Sequence, residues 1–262
     1  MGDLTEAFDR VEVFGVGVKP CTYDSAVRAI LDGAQQRKAF GVAALATHGL
    51  MTASKDARFR GALAKLAIVT PDGQPVRWAL NLLVDSPLAE RVYGPELTER
   101  VCAGAAALRV GIFLFGSTQQ TCDALVRALN TRYPAIKIVG VQADRFRDAT
   151  PEEDAQDVAT IVASGAEIVL VGRGCPRQEI WVAEHLDRIP CAMLAVGAAF
   201  DYLAGELRRP PAWMQRVGLE WLHRLAQEPQ RLWRRYLFTN SQYLAKFVPL
   251  FVETKLRKRT KR

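Results

Sequence analysis

The sequence predicts an α/β fold: a Rossmann-like, mostly parallel sheet flanked by helices and followed by an all-helical, basic C-terminal appendage. Three observations support this class. Short apolar runs alternate with amphipathic stretches over residues 11–204, as in domains built from strand–helix–strand units. Several runs are apolar almost throughout, which is typical of strands covered by helices on both faces. Beyond Arg208–Pro211 the apolar runs stop and helical patterns follow.

The body, residues 1–207, is predicted to hold the sheet. Among its helical stretches, Gln120–Pro134 and Pro151–Gly165 are the clearest. In the second, Thr150 suits the N-cap, Pro151 suits the first helical position, and the acids that follow complement the helix dipole. The predicted strands are Val11–Val18, Gly41–Thr47, Leu66–Pro71, Arg109–Gly116, Ile136–Val141, Glu167–Gly174 and Cys191–Phe200.

The appendage, residues 208–262, is predicted to contain three helices. Pro229 is expected to open the second, and Asn240 or Ser241 to cap the third. The predicted helices are Ala212–Gln227, Pro229–Phe238 and Ser241–Lys255.

Charge is distributed unevenly along the chain. The 262 residues carry a formal net charge of +7, with 49% hydrophobic and 24% charged residues, which is the balance of a folded protein. The excess is concentrated in the appendage, and the final stretch Lys255–Arg262 has no acidic residue. Such asymmetry predicts a polyanionic partner, namely an anionic membrane, a phosphorylated substrate or a nucleic acid. A solvated tail is the simpler alternative for the last octet.

Several classes of protein and chemistry are disfavoured. The five cysteines form no CxxC pair, residues 1–13 lack the apolar core of an export signal, and no apolar run is as long as a membrane span. These features predict a cytoplasmic protein that meets a membrane only at its surface. His48, His185 and His223 lack metal-ligand spacing. With no GxGxxG, Walker, GxSxG or DxD motif, we expect no metal and no cofactor.

Three strand ends carry polar or glycine-rich turns, and ligands of open parallel sheets bind at such ends. Asp72 follows one strand, where it suits either a general base at a pocket rim or a cap for the helix starting near Gln74. Gly116 ends a second strand before a helix N-terminus that can face an anion. The third turn runs from Gly172 through Pro176. Together the three turns predict a nucleotide-sized pocket.

Five segments then occur in order: PDGQPVRW, RVYGPEL, GRGCPRQE, GAAFDYLAGELRRPPAW and GLEWLHRLAQEPQRLWRRYL. Together they resemble the WecG/TagA/CpsF glycosyltransferase family, glycosyltransferase family 26, over residues 11–237. The resemblance implies a bacterial inverting transferase, which moves a sugar from a UDP-sugar to a polyprenyl-diphosphate-linked saccharide at the cytoplasmic membrane face. The products of such enzymes are wall teichoic acid linkage units, enterobacterial common antigen, and capsule or exopolysaccharide repeat units.

The resemblance also assigns roles to residues. Asp72 falls on the family's proposed catalytic base and Gln178 on its active-site glutamine. Arg224, Arg231 and Arg234 fall on basic positions of the appendage, which is thought to close over the pocket. We therefore expect Asp72, Gln178, Arg224 and Arg231 to be catalytic. The expected substrate-binding residues are Thr47, His48, Arg91, Gly94, Gly116, Ser117, Gly172, Gly174, Pro176, Asp201 and Arg234.

One strand end departs from the family pattern. Typical members have a threonine and an asparagine where this chain has Ala44 and Ala46, and Thr47 and His48 lie just downstream. The resemblance alone therefore does not assign the family's common donor, UDP-N-acetylmannosamine, to this chain. UDP-glucose and a UDP-linked uronic acid remain alternatives.

The appendage combines tryptophans with arginines, which suits a membrane headgroup interface or a lipid diphosphate. The expected partners are thus the UDP-sugar donor, the polyprenyl-diphosphate-linked acceptor and the anionic inner-membrane surface, without nucleic acid. Some family members are thought to need monomerisation before the appendage closes, so a homo-oligomer is also compatible. The alternatives are a Rossmann-like nucleotide-binding protein of other chemistry and a polyanion-binding module that uses the basic C-terminus.

Overall fold

The computed structural model describes residues 9–85 and 87–260. Residues 1–8 lie outside the described residues, and they make up most of the segment in which an export signal would begin. The last two residues of the basic tail, 261 and 262, also lie outside them. The strands are β1 (Val11–Val13), β2 (Val16–Val18), β3 (Phe40–Leu45), β4 (Ile68–Pro71), β5 (Gly111–Gly116), β6 (Lys137–Gln142), β7 (Ile168–Gly172) and β8 (Ala192–Ala195).

One or two helices follow each strand from β2 onward until the appendage begins. They are α1 (Tyr23–Gln35), α2 (Thr47–Ala53), α3 (Ala57–Lys65), α4 (Gln74–Leu83), α5 (Gly94–Leu108), α6 (Gln119–Arg132), α7 (Pro151–Ala163), α8 (Arg177–His185), α9 (Ala199–Leu203), α10 (Ala212–Val217), α11 (Glu220–Gln227) and α12 (Pro229–Thr260).

Six strands form one parallel sheet in the order β4–β3–β8–β7–β5–β6. Side chains alternate between its faces. Phe113 and Phe115 of β5 pack in a core with α2, α3, α4 and α8, while Ile112 and Leu114 pack with α1, α5, α6 and α9. Both faces are covered, which explains why the strands are apolar almost throughout. The predicted Rossmann-like α/β class is confirmed.

Two predicted strands of the body differ in the structure. The predicted strand Val11–Val18 is an antiparallel hairpin of β1 and β2, and Phe14 and Gly15 form its turn with positive φ angles. The predicted strand Cys191–Phe200 ends at Ala195, and helix α9 begins at Ala199. The N-cap of α7 is as predicted, because Thr150 forms a capping box with Glu153.

The appendage is divided differently from the prediction. Gly218 takes a left-handed conformation with φ 77°, which ends α10 and splits the first predicted helix in two. The second and third predicted helices are one continuous helix, α12. Ser241 does not cap a helix start, because its hydroxyl donates to the carbonyl oxygen of Leu237 one turn earlier.

The appendage docks on α2 and α4 of the body. Tyr243 of α12 donates its hydroxyl hydrogen to the carbonyl oxygen of Pro75 at 2.7 Å, and Gln74 donates to the carbonyl oxygen of Gln215 at 3.1 Å. Gly218 packs so close to Trp78 that a β-carbon there would lie 2.9 Å from the indole ring. This docking carries α11 and the first half of α12 across the carboxyl ends of β4, β3 and β8.

Candidate active site

A cavity of about 250 Å³ lies between the carboxyl ends of β4, β3, β8 and β7 and the appendage helices α11 and α12. The body supplies its floor and the appendage its opposite wall. Of the residues predicted from sequence, the cavity brings together Thr47, His48, Asp72, Arg91, Gly174, Gln178, Arg224 and Arg231.

Asp72 lies on the floor, directly after β4. Its carboxylate oxygen Oδ2 accepts a hydrogen bond from the backbone N–H of Gly94 at 3.3 Å. Gly73 is the N-cap of α4, and no side chain caps that helix. The alternative role of Asp72 as a helix cap is therefore not what the structure shows.

The surroundings of Asp72 raise its proton affinity. Burial is the largest effect and raises the pKa of Asp72 to about 7, and the nearby carboxylate of Glu220 acts in the same direction. Arg91, the Gly94 amide and Arg224 oppose the rise. A carboxyl with a pKa near neutrality is matched to accepting a proton from a hydroxyl at physiological pH.

Arg91 is held beside Asp72 by the segment that returns from α4. The backbone N–H of Val92 donates to the carbonyl oxygen of Pro71 at 3.1 Å, which fixes this segment along the end of β4. The Arg91 guanidinium makes two hydrogen bonds to the carboxylate of Glu220 on α11 and stacks 4.4 Å from the centre of the Tyr93 ring. Arg91 is therefore paired across the boundary between body and appendage.

The appendage wall carries further cations. Arg224 of α11 and Arg231 of α12 both bind the carboxylate of Glu228, which lies between the two helices. Arg235 also lines the cavity, and its Nε is buried without a hydrogen-bond partner in the described residues. These cations and the polar floor make the cavity suitable for an anion such as a diphosphate.

Gln178 is oriented from both ends of its amide. Its Oε1 accepts from the backbone N–H of Gly174 at 3.1 Å, and its Nε2 donates to Glu179 at 2.9 Å. Burial raises the pKa of Glu179 to about 7. The other carboxylate oxygen of Glu179, Oε2, is buried and has no hydrogen-bond partner of normal geometry in the described chain. The thiol of Cys175, a weak donor, is close enough to oppose the rise in the Glu179 pKa.

Thr47 and His48 follow β3 and begin α2. The Thr47 hydroxyl lies beside Gly73, the residue that follows Asp72. A β-carbon built on Gly73 would be 3.1 Å from this hydroxyl oxygen. His48 faces Thr239 of α12, with 3.5 Å between Nδ1 and the hydroxyl. Burial, together with Arg235, lowers the pKa of His48 to about 4, so its imidazole is neutral at pH 7.

The predicted residues at the ends of β5 and β7 lie outside the cavity lining, except Gly174. A β-carbon at Gly116 would lie 2.6 Å from the carbonyl carbon of Gly172, so the two strand ends approach each other too closely for a side chain. Ser117 donates its backbone N–H to the carbonyl oxygen of Gly172 at 2.9 Å. These glycines are explained by strand packing, and Pro176 precedes α8 outside the lining.

Three other predicted residues also lie off the lining. Gly94 is behind Asp72, which it binds through its amide. Asp201 is half-buried on α9, where burial raises its pKa and Arg224 and Arg231 oppose the rise. Arg234 is exposed, with its guanidinium 5.1 Å from the centre of the Trp233 ring.

Sequence reasoning missed Arg235, Glu179 and Glu220. Arg235 follows Arg231 by four residues and so shares its helical face, and this spacing could have distinguished it from Arg234. The roles of the two glutamates depend on long-range packing and have no local sequence signal. In the described residues, no group of three or more histidine, cysteine or acidic side chains is arranged to hold a metal ion.

Replacing Glu179 by Gln should make the protein more stable than the wild type as the pH rises. Because burial raises the Glu179 pKa from 4.5 to about 7, the folded protein resists ionisation that the unfolded chain undergoes freely. The resulting loss in the free energy of unfolding of the wild type is absent below pH 4.5. It reaches on the order of 3 kcal/mol above pH 7. Urea unfolding at several pH values between these limits measures the difference.

Glu184→Gln, an exposed position on the same helix, is the matched control and should give a difference that does not vary with pH in this way. A Glu179→Gln difference that stays constant across the window would contradict the raised pKa.

The chain was compared with models of known protein families. The family model described as the glycosyl transferase WecG/TagA/CpsF family matches residues 11–261. The match covers nearly the whole chain, so the chain belongs to this family. It is a glycosyltransferase of cell-envelope polymer synthesis, a class that generally uses a nucleotide-sugar donor and a lipid-linked acceptor.

Proposed function

We propose that this member of the WecG/TagA/CpsF family transfers a sugar, with inversion, from a UDP-sugar to a polyprenyl-diphosphate-linked saccharide. The observation that carries the proposal is the buried carboxyl of Asp72, which faces a cavity walled by arginines. A base on one side and cations on the other are the two requirements of such a displacement.

In the proposed reaction, the acceptor hydroxyl oxygen attacks the anomeric carbon of the donor. Its proton passes to Asp72 while the bond from the anomeric carbon to the UDP oxygen breaks. The departing diphosphate gains negative charge, which Arg224, Arg231 and Arg235 offset. Arg91 keeps Glu220 as its partner, and Gln178 offers its amide to the sugar. In this proposal residues 1–207 bind the UDP-sugar and supply the base, and the appendage supplies the cations that face the diphosphate.

The donor sugar is proposed to lie beside the end of β3. Ala44 and Ala46 line the cavity there and bring no hydrogen-bonding side chains. The hydroxyl of Thr47 and the neutral imidazole of His48 offer donors and acceptors instead. Glucose, N-acetylmannosamine and a uronic acid all present hydroxyl groups suited to these partners.

The appendage, residues 208–262, is proposed to dock the enzyme on the anionic inner face of the cell membrane. None of the helices in the described part of the chain has the length and hydropathy needed to span a bilayer. Trp233, Leu237 and Leu244 recur at helical spacing along α12. The exposed large apolar side chains of the appendage are Trp213, Val217, Trp221, Leu222, Trp233, Leu237, Phe238, Leu244, Val248, Phe251, Val252 and Leu256.

Cations flank this apolar surface. Arg234 lies over the Trp233 ring and Lys255 lies 5.6 Å from the centre of the Phe251 ring. Apolar side chains between basic ones suit a layer of anionic headgroups over acyl chains. A nucleic acid would leave the aliphatic part of the surface exposed, and this favours the membrane over a polyanion-binding module.

Replacing Asp72 by Asn should lower turnover by about a hundredfold or more, because the general base is removed while the cavity shape is kept. UDP release from the donor that the wild type consumes, measured with a lipid-linked acceptor, gives the turnover. Asp32→Asn on the exposed side of α1 is the control and should retain full turnover. Near-normal turnover in Asp72→Asn would show that Asp72 is not the base.

Replacing Leu237 and Leu244 together by Glu should weaken binding to phosphatidylglycerol-containing vesicles by about tenfold or more. Both side chains are more than half exposed, at 58% and 56%, so the fold should tolerate the change. Co-sedimentation measures the binding. Leu108→Glu with Val162→Glu introduces the same charges at exposed positions of the body and should have a much smaller effect. Equal losses in the two double variants would contradict docking through α12.

A further inference from the structure

The ion pair between Arg91 and Glu220 joins the body to the appendage beside Asp72. The side chains are only 8% and 16% exposed, and the contact is bidentate. Besides Glu220, the Asp72 carboxylate favours the charged form of this buried guanidinium, and an uncompensated buried charge is strongly unfavourable. The pair is therefore a strong determinant of the charge around Asp72.

Each partner is fixed independently by its own element. Thr70 donates its hydroxyl hydrogen to the carbonyl oxygen of Val92 at 3.3 Å, and Tyr23 accepts from the backbone N–H of Tyr93 at 2.9 Å, so the Arg91 segment is held to the body. Glu220 begins α11, two residues after the turn at Gly218 that packs against Trp78 of α4. The pair therefore exists only while the appendage is docked.

Several charged or titratable groups face the Asp72 carboxyl. Arg91 and Arg224 favour its ionised form, whereas Glu220 opposes it. Tyr23 of α1 and Tyr93 before α5 are close enough for Asp72 to affect their own ionisation. Of these groups, Arg91 has the largest charge effect on Asp72, and Glu220 is the residue that neutralises Arg91.

We propose that Glu220 is a positioning residue that pairs with Arg91 and thereby makes the basicity of Asp72 depend on docking of the appendage. With the appendage docked, Glu220 balances the Arg91 charge and leaves Asp72 able to take up a proton. With the appendage displaced, the unpaired Arg91 holds Asp72 ionised and weakly basic. The catalytic consequence rests on the proposed function, in which Asp72 is the base.

The test is an NMR titration of the Asp72 carboxyl carbon in the full-length protein, assigned by its loss in Asp72→Asn. In Glu220→Gln the titration midpoint should fall by about one pH unit, because the Arg91 charge is no longer balanced. The pH dependence of kcat/KM should show the same displacement of its acidic limb. A midpoint equal to that of the wild type would overturn the proposal.

Loss of docking in Glu220→Gln could also lower the Asp72 midpoint by exposing this carboxyl to water. The double variant Arg91→Gln/Glu220→Gln separates this hydration effect from the effect of the unbalanced Arg91 charge. It removes both charges, so the midpoint should return to the wild-type value or above. A double variant with a midpoint as low as that of Glu220→Gln would overturn the proposal in favour of simple hydration. Glu220→Asp keeps the charge and should stay near the wild type, which tests the proposal even if Glu220→Gln folds poorly.

Glu184→Gln, which removes an exposed carboxylate of the body, is the control and should leave the Asp72 midpoint unchanged. The titration does not depend on turnover. If Asp72→Asn retained turnover, the proposed base would be wrong, while the carboxyl titration would still decide whether Glu220 acts on Asp72.

Discussion

The burial of the Asp72 carboxyl under the appendage is the constraint on which the site depends. An isolated carboxylate is costly to bury, and here the cost is limited by the amide of Gly94 and the guanidinium of Arg91. Both belong to the segment that returns along the end of β4. Burial is the largest cause of the rise that brings the pKa of Asp72 to about 7, and Glu220 of the appendage acts in the same direction against Arg91.

The cavity arginines are paired in a consistent way. Arg91 binds Glu220, and Arg224 and Arg231 share Glu228, so the appendage supplies carboxylates as well as cations to its own wall. Two carboxylates thus partner three of the cavity arginines before any ligand enters. In the proposed reaction an entering diphosphate would compete with Glu228 for Arg224 and Arg231, whereas Arg235 is buried with an unsatisfied Nε in the described residues. The proposed function therefore implies that anion binding depends on the packing of α11 against α12.

The fold class could be predicted because its signals are local. Apolar strands covered on both faces and the capping signals at Thr150 are visible in short windows of sequence, and the predicted elements of the body largely agree with the structure. The hairpin at Phe14 and Gly15 and the break at Gly218 were missed because single turn residues decide them. The continuity of α12 through Asn240 was missed because packing against the body overrides a weak capping signal.

The site was predictable only in part, for a related reason. Asp72 and Gln178 lie in motifs next to strand ends, and the parallel sheet brings such ends together. Gly116 and Gly172 carry the same local signal, yet strand packing accounts for them. Glu220 and Glu179 reach the cavity through contacts across long stretches of chain, which neither spacing nor composition reveals. Arg235 differs from them, because its spacing of four residues from Arg231 places it on the same helical face.

The most direct measurement is a calorimetric titration of the full-length protein with UDP, beside ADP and NAD, in the presence of anionic vesicles that engage the appendage. The central claim is that the cavity between body and appendage takes a UDP-sugar, and it predicts saturable binding of UDP that exceeds binding of ADP and NAD. Absence of UDP binding, or equal binding of all three nucleotides, would contradict it.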